Sequence, residues 1–237
     1  MISIICPSNN KDILEKYLLK SLKKQTYLDY ETIIIDTNKK KYNGCVEALY
    51  EGINKAKGEY LMFVHHDVCF TDKDELKNII KYIDNLDFGV VGVAGAANER
   101  NNLIGNITNG PSKEKISNKI ITEPTEVQSL DEVLFIIKKD TIKKYPLEKN
   151  NKTWHLYAVE YSLKMIDNNK KVYVIPSNIY HASPGYSLND SYFTYLPKII
   201  KKYKKKYKTI NTTVGSWFTN SILFKLQMIR RKQKWKM

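Results

Sequence analysis

Three short apolar runs, each stopped by polar turn residues and each followed by a segment of helical character, fill the first 85 residues and leave this chain few folds to adopt. Residues 2–6 (Ile-Ser-Ile-Ile-Cys) end at Pro7-Ser8-Asn9-Asn10, after which Ile13, Leu14, Tyr17, Leu18 and Leu22 recur at helical spacing. Residues 31–35 form a β-branched run ending at Asp36, and Val46, Leu49, Tyr50 and Ile53 mark a second helix closed by Gly58. Residues 60–64 form a third strand ending at His65-His66-Asp67, and Thr71 with Asp74, or Asp72 with Glu75, can cap a third helix through Ile83. Strands that are apolar throughout, alternating with helices, predict a mainly parallel sheet covered on both faces. Ligands bind such sheets beyond the carboxyl ends of the strands, which draws residues 7–10, Asp36 and 65–67 around one crevice.

The rest of the chain extends this pattern. Residues 88–97 predict a glycine-rich fourth strand, and the polar segment 98–125 a long loop or flap. Residues 133–137 read as a strand, 157–166 as a helix, 171–175 and 178–181 as strands, with a turn at Pro184-Gly185. The one composition shift falls near Pro197. From Lys198 onward there are thirteen basic residues and no acidic one, whereas residues 1–197 carry 26 basic against 25 acidic. The expectation is one α/β domain over 1–197 followed by a basic amphipathic helical extension over 198–237.

Several chemistries drop out. Neither GxGxxG nor GxxxxGK[ST] occurs, which counts against a dinucleotide enzyme or a P-loop NTPase. Three cysteines without CxxC spacing give no disulfide framework or zinc ribbon and fit a reducing cytosol. No run of eighteen apolar residues suggests a membrane span, and the first residues lack the pattern of a secretion signal. Asp67, at a strand's carboxyl end with histidines nearby, suits Mn²⁺ or Mg²⁺ shared with phosphate oxygens.

In order and spacing, residues 2–181 resemble a family 2 glycosyltransferase of the GT-A fold. The segments that carry the likeness are Ile2–Asn10, Tyr30–Asp36, Gly52–Tyr60, Phe63-Val-His-His-Asp67-Val, Gly92-Val-Ala-Gly95-Ala, Val127-Gln-Ser-Leu-Asp131-Glu-Val-Leu, Trp154-His-Leu-Tyr157 and Tyr180-His181. The nearer match is the branch whose metal motif reads like "FLHQDV". The resemblance implies a GT-A, Rossmann-like mixed sheet and a metal-dependent, inverting transfer of sugar from a nucleotide-sugar donor to a glycan or lipid-linked glycan, as in surface polysaccharide synthesis. It places Pro7, Ser8, Asn9, Asp36, His65 and His66 around the nucleotide. Asp67 and His181 fall on the metal, with His65 in the first acid's position. Asp131 falls near sugar or acceptor and is a catalytic candidate, and Trp154, His155 and Tyr157 fall on the acceptor side.

The likeness breaks at two positions. Tyr50 stands where the family's "N-x-G-I" segment has asparagine. Ala158 stands where "FHFYDxDL" carries the expected general base, and an alanine takes no proton. Glu160 could serve instead, although two positions along a helix is roughly 200° around it. An altered residue and a weakly catalytic or purely sugar-nucleotide-binding relative are the other readings. The tail is read as an anchor to an anionic membrane surface on the cytoplasmic side. Its alternatives are a segment packed on the core with solvated lysines, or a nucleic-acid binder lacking any recognised motif.

Overall fold

The computed structural model describes residues 1–184 and 188–235, so the turn expected at Pro184-Gly185 lies partly outside the described residues. β1 (Ile2–Ser8) lies inside the main sheet because it can be buried on both faces. Ile2, Ile4 and Cys6 point into one apolar cluster and Ile5 into another. It pairs in parallel with β2 (Tyr30–Asp36) and β3 (Tyr60–Val64). β2 is the sheet edge, which leaves Thr32, Ile33 and Ile34 half-buried despite their apolar sequence.

Between β1 and β2 the chain coils through α1 (Lys11–Leu14), a π-helical turn (Glu15–Leu19) and α2 (Lys20–Leu22), burying Leu14, Leu18 and Leu22. Asn10 starts this run, its Oδ1 accepting from the Ile13 N–H at 3.0 Å. α3 (Cys45–Lys55) covers the opposite face. Gly52 permits its close approach, since a Cβ there would lie 2.3 Å from Ile5 Cγ2. β4 (Val68–Phe70) and α4 (Glu75–Asp84) complete the first half.

The strand expected over 88–97 divides at Val93 into β5 (Val90–Gly92), in the main sheet, and β6 (Ala94–Ala96), in a second one. The segment expected to be a flap is ordered into β7 (Leu103–Gly105), β8 (Thr108–Asn109) and β9 (Glu114–Lys115). β10 (Thr125–Glu126), β11 (Ser129–Leu130), β12 (Leu134–Lys138), α5 (Lys139–Lys144), α6 (Tyr157–Asp167), β13 (Val172–Val174) and β14 (Ile179–His181) follow. The main sheet runs β10-β13-β5-β12-β3-β1-β2. Its strands share one direction except β12 and β10, which run against their neighbours. This is a mainly parallel α/β sheet flanked by helices, as the sequence predicts. A smaller sheet, β4-β14-β8-β9, stands at the end of β3.

α7 (Asp190–Tyr203) continues through Pro197 and packs on the outer face of α6. The hairpin β15 (Thr209–Thr212) and β16 (Gly215–Phe218) and then α8 (Ser221–Trp235) close the same third cluster, in which Trp217 is fully buried and donates Nε1–H to Tyr192 Oη at 3.0 Å. α8 divides by face. Phe224 and Met228 pack inward, while Ile222, Leu223, Leu226 and Ile229 are exposed. No described helix is long and apolar enough to cross a membrane.

Candidate active site

A cavity of about 510 Å³ opens beyond the carboxyl ends of β1, β2 and β3. The strand ends contribute Pro7, Asn9, Thr37 and residues 64–67 to its wall. The link into β12 adds Asp131 and Glu132, the approach to α6 adds Trp154, His155 and Tyr157, and the smaller sheet adds Asn109 and His181.

His65, Asp67 and His181 converge with one ligand atom each, all within 4.8 Å of one another. β14 brings His181 here by pairing with β4, the strand that follows Asp67. Asp67 Oδ1 lies 3.3 Å from His181 Nε2, and Asp67 Oδ2 accepts the Ser183 N–H at 3.1 Å. The other His181 nitrogen, Nδ1, is 3.2 Å from Asn109 Oδ1. Nδ1–H can donate to that amide oxygen while Nε2 faces a carboxylate oxygen, a juxtaposition that suits a proton or a cation between them.

Burial pushes the Asp67 acid up. The His181 hydrogen bond and the charges of His181, His65 and His66 outweigh it and hold the acid down at about 2. Burial, with the neighbouring His181 charge, pushes His65 down to about 4, so its ring is neutral at pH 7 and has a lone pair to give. Two imidazoles and a carboxylate are a fitting donor set for Mn²⁺. His66 turns aside, its Nδ1 2.8 Å from Ser8 Oγ, with burial lowering its pKa.

The other expected residues divide between cavity and rim. Pro7 and Asn9 line the wall, whereas Ser8 is buried behind them. Asp36 stands at the end of β2 opposite Ser8 and outside the cavity lining, its Oδ1 accepting the Asn38 N–H at 3.0 Å. Asp131 is in the cavity wall with both oxygens engaged, Oδ1 by the Val133 N–H at 2.9 Å and Oδ2 by the Thr213 hydroxyl. Trp154 is 41% exposed, while Tyr157 is buried against Phe135. Leu156, between them, starts α6 from the left-handed region at φ 65°, a strained conformation at the cavity edge.

Glu160 is not in the cavity wall. It is buried on the face of α6 toward α7, where its Oε2 accepts from Tyr195 Oη at 2.8 Å and its Oε1 lies 3.4 Å from Lys202 Nζ. Ala158 is fully buried.

Glu132, which the sequence reading did not single out, is half-buried in the cavity wall with Oε1 enclosed and unpartnered. Burial, reinforced by Asp131, pushes its acid up to about 8. Its position beside Asp131 was the one available signal. Asn109 and Val214, also in the wall, gave none, because they arrive from the expected flap and from the tail hairpin.

Comparison with known proteins fits this geometry. The family described as "Glycosyltransferase like family" matches residues 3–209. An uncharacterized glycosyltransferase of Haemophilus influenzae is 28% identical over 109 residues, covering 37% of each chain. Among solved structures, the mannosyltransferase PcManGT from Pyrobaculum calidifontis in complex with GDP-Man and Mn²⁺ aligns with a TM-score of 0.61 at 12% identity, over 87% of this chain and 65% of its own. GalNAc-T7 with UDP, GalNAc and Mn²⁺ gives 0.63 at 15% identity, over 88% of this chain and 49% of its own. Residues 1–349 of S. aureus TarS in complex with UDP-GlcNAc give 0.58 at 16% identity, over 87% of this chain and 67% of that one. At these identities the structural likeness is one of fold. The chain spans less than two thirds of the H. influenzae, P. calidifontis and GalNAc-T7 proteins.

Proposed function

The chain belongs to the glycosyltransferase-like family, and from that premise we propose that it transfers a sugar from a nucleoside-diphosphate sugar to a glycan hydroxyl with inversion at the anomeric carbon. The observation that carries the reading is the convergence of His65, Asp67 and His181 at the carboxyl ends of the sheet, in a cavity that also holds carboxylates. That fold-neighbours hold GDP-Man, UDP-GlcNAc and Mn²⁺ supports a nucleotide donor and a divalent ion.

His65, Asp67 and His181 would hold Mn²⁺ or Mg²⁺, which when bound offsets the charge of the departing diphosphate. Pro7, Ser8, Asn9, Asp36 and His66 are assigned to the nucleoside side. The half-exposed Trp154 ring, with His155 and Tyr157, offers an apolar platform for an acceptor sugar at the other side of the cavity. Asp131, held by Val133 and Thr213 in the cavity wall, is assigned to the sugar or acceptor side.

A lipid-linked acceptor at an anionic cytoplasmic leaflet suits α8, whose exposed Ile222, Leu223, Leu226 and Ile229 are flanked by exposed Lys225 and Arg230. On this reading residues 1–197 supply most of the donor site, Val214 of the tail hairpin completes its wall while Thr213 holds Asp131, and α8 addresses the acceptor's surface.

A thermal-shift panel of UDP, GDP, CDP and TDP, each with and without Mn²⁺, tests the donor site. One nucleotide stabilising only with the ion is the expected result, and no shift with any of them would remove the transferase reading. A non-catalytic sugar-nucleotide binder, the reading that Ala158 favours, would show the same shift without ever releasing nucleoside diphosphate from the sugar donor.

A further inference from the structure

The first turn of α6 presents Ala158 where the resemblance places a general base, yet the adjoining cavity wall does carry a carboxylate. We propose that Glu132, at the entry to β12, is the general base of this chain, an assignment that rests on the transferase reading above.

The geometry selects Glu132 over the other carboxylates near the cavity. Both oxygens of Asp131 are committed to Val133 and Thr213. Glu160 is bound to Tyr195 and Lys202 on the far side of α6. Asp67 belongs to the metal-ligand trio. Glu132 shares the cavity wall with that trio and with Trp154, His155 and Tyr157. The backbone N–H groups of Leu156 and Ala158 face its carboxyl, which puts the acid at the very turn where residue 158 offers none. A base reaching over from the neighbouring loop can thus occupy the space a helix residue would have filled.

The surroundings suit a group that takes up a proton. The titratable groups that face Glu132 are Asp131 from its own segment, Cys45 from α3, Tyr157 from α6 and Tyr192 from α7. Burial pushes the Cys45 thiol and both tyrosines up, so all three are uncharged at pH 7. No Lys or Arg is among them. The enclosed and unpartnered Oε1 marks unused accepting capacity in the carboxyl. A base with a pKa near 8 is matched to an alcohol acceptor at working pH better than an ordinary glutamate.

In the step, the Glu132 carboxylate accepts the proton of the acceptor hydroxyl while the oxygen's electron pair forms the new bond to the anomeric carbon. The bond from that carbon to the diphosphate oxygen breaks, and the nucleoside diphosphate leaves with the pair. The proton held on Glu132 then passes to solvent.

The test uses the full chain with Mn²⁺, the nucleotide sugar chosen by the thermal-shift panel, and glycan or water as acceptor. Donor binding is read by thermal shift and turnover by release of nucleoside diphosphate. Glu132→Gln should retain the donor-induced shift while kcat falls by about 10²–10⁴-fold. Wild-type kcat should rise with pH through about 8, a limb that Glu132→Gln loses and the slower Glu132→Asp retains.

Turnover by Glu132→Gln at the wild-type rate would overturn the assignment, as would a wild-type chain that binds donor but releases no nucleoside diphosphate. Should Glu132→Gln lose donor binding, the Glu132→Asp profile decides, and absence of its pH limb would also overturn the base. Failure of the wild type to bind any nucleotide would instead overturn the donor site itself, and is seen separately.

Discussion

Asp67 is the one carboxylate among the three groups that converge beyond β3. Removing it leaves two imidazoles, a poor site for a hard cation that must also meet phosphate oxygens. Asp67→Ala should therefore abolish the Mn²⁺-dependent part of nucleotide stabilisation. At about 100 times Kd the wild-type gain is about 2.7 kcal/mol, and an undiminished rise in Tm would remove Asp67 from the metal site. Glu132 predicts a pH effect on stability that needs no substrate. Its folded acid, pushed up to about 8 from an ordinary 4.5, holds a proton in the native state that the unfolded chain has already released. Stability from burying the neutral acid is complete below about pH 4.5 and is lost as pH rises through 8. Glu132→Gln stays neutral throughout, so its stability relative to wild type should grow by about 1–3 kcal/mol between pH 5 and pH 9. Urea unfolding at the two pH values measures this, and parallel losses in both proteins would contradict it. At this scale the sequence shows residue types and strand ends, which is why Asp67 was legible. It does not show which way a helix face is turned. Glu160 and Ala158 are two residues apart on α6, and the same rotation that buries Ala158 beside the cavity carries Glu160 toward Tyr195 and Lys202.

At the scale of elements, the site depends on how closely helices are drawn onto the sheet. α3 rests on β1 through Gly52, where an added methyl would meet Ile5, a β-branched side chain that cannot swing away cheaply. Gly52→Ala should cost about 1–3 kcal/mol despite the better helix propensity of alanine. Chemical denaturation would show it, and a gain in stability would mean that the helix can shift outward freely. Elements with strong periodicity were legible because their burial is local to one face: α3, α4 and α6 lie where the sequence puts them. The single strand expected over 88–97 was not, since its apolar and glycine-rich composition fits two short strands in different sheets equally well. The expected flap carries so few apolar residues that only its pairing with β14 shows why β8 forms, and with it why Asn109 reaches His181.

Over the whole molecule, the excess of basic over acidic residues is concentrated after residue 197. The acid-free stretch after residue 197 contributes Trp217, Phe224 and Met228 inward and an apolar row on α8 outward, so part of it is packed on the core and the exposed row is what the anchoring reading would use. If α8 meets an anionic leaflet, Leu226→Glu with Ile229→Glu should reduce co-sedimentation with anionic vesicles about tenfold or more. The melting temperature should change little, because the two side chains are 61% and 50% exposed. Unchanged sedimentation would remove the membrane role, and salt-sensitive capture of nucleic acid by both proteins would favour the other cationic partner. By itself the sequence determined the α/β architecture, the crevice beyond β1, β2 and β3, and the position of Asp67 within it. Those properties follow from side-chain periodicity and from where strands stop, both of which are local in the chain. Only the tertiary structure decided that His181 joins Asp67 through β14, that the tail hairpin fixes Asp131 through Thr213, and that Glu132 rather than Glu160 faces the cavity. These depend on sheet pairing and helix rotation between distant segments, settled by the packing of the folded core as a whole.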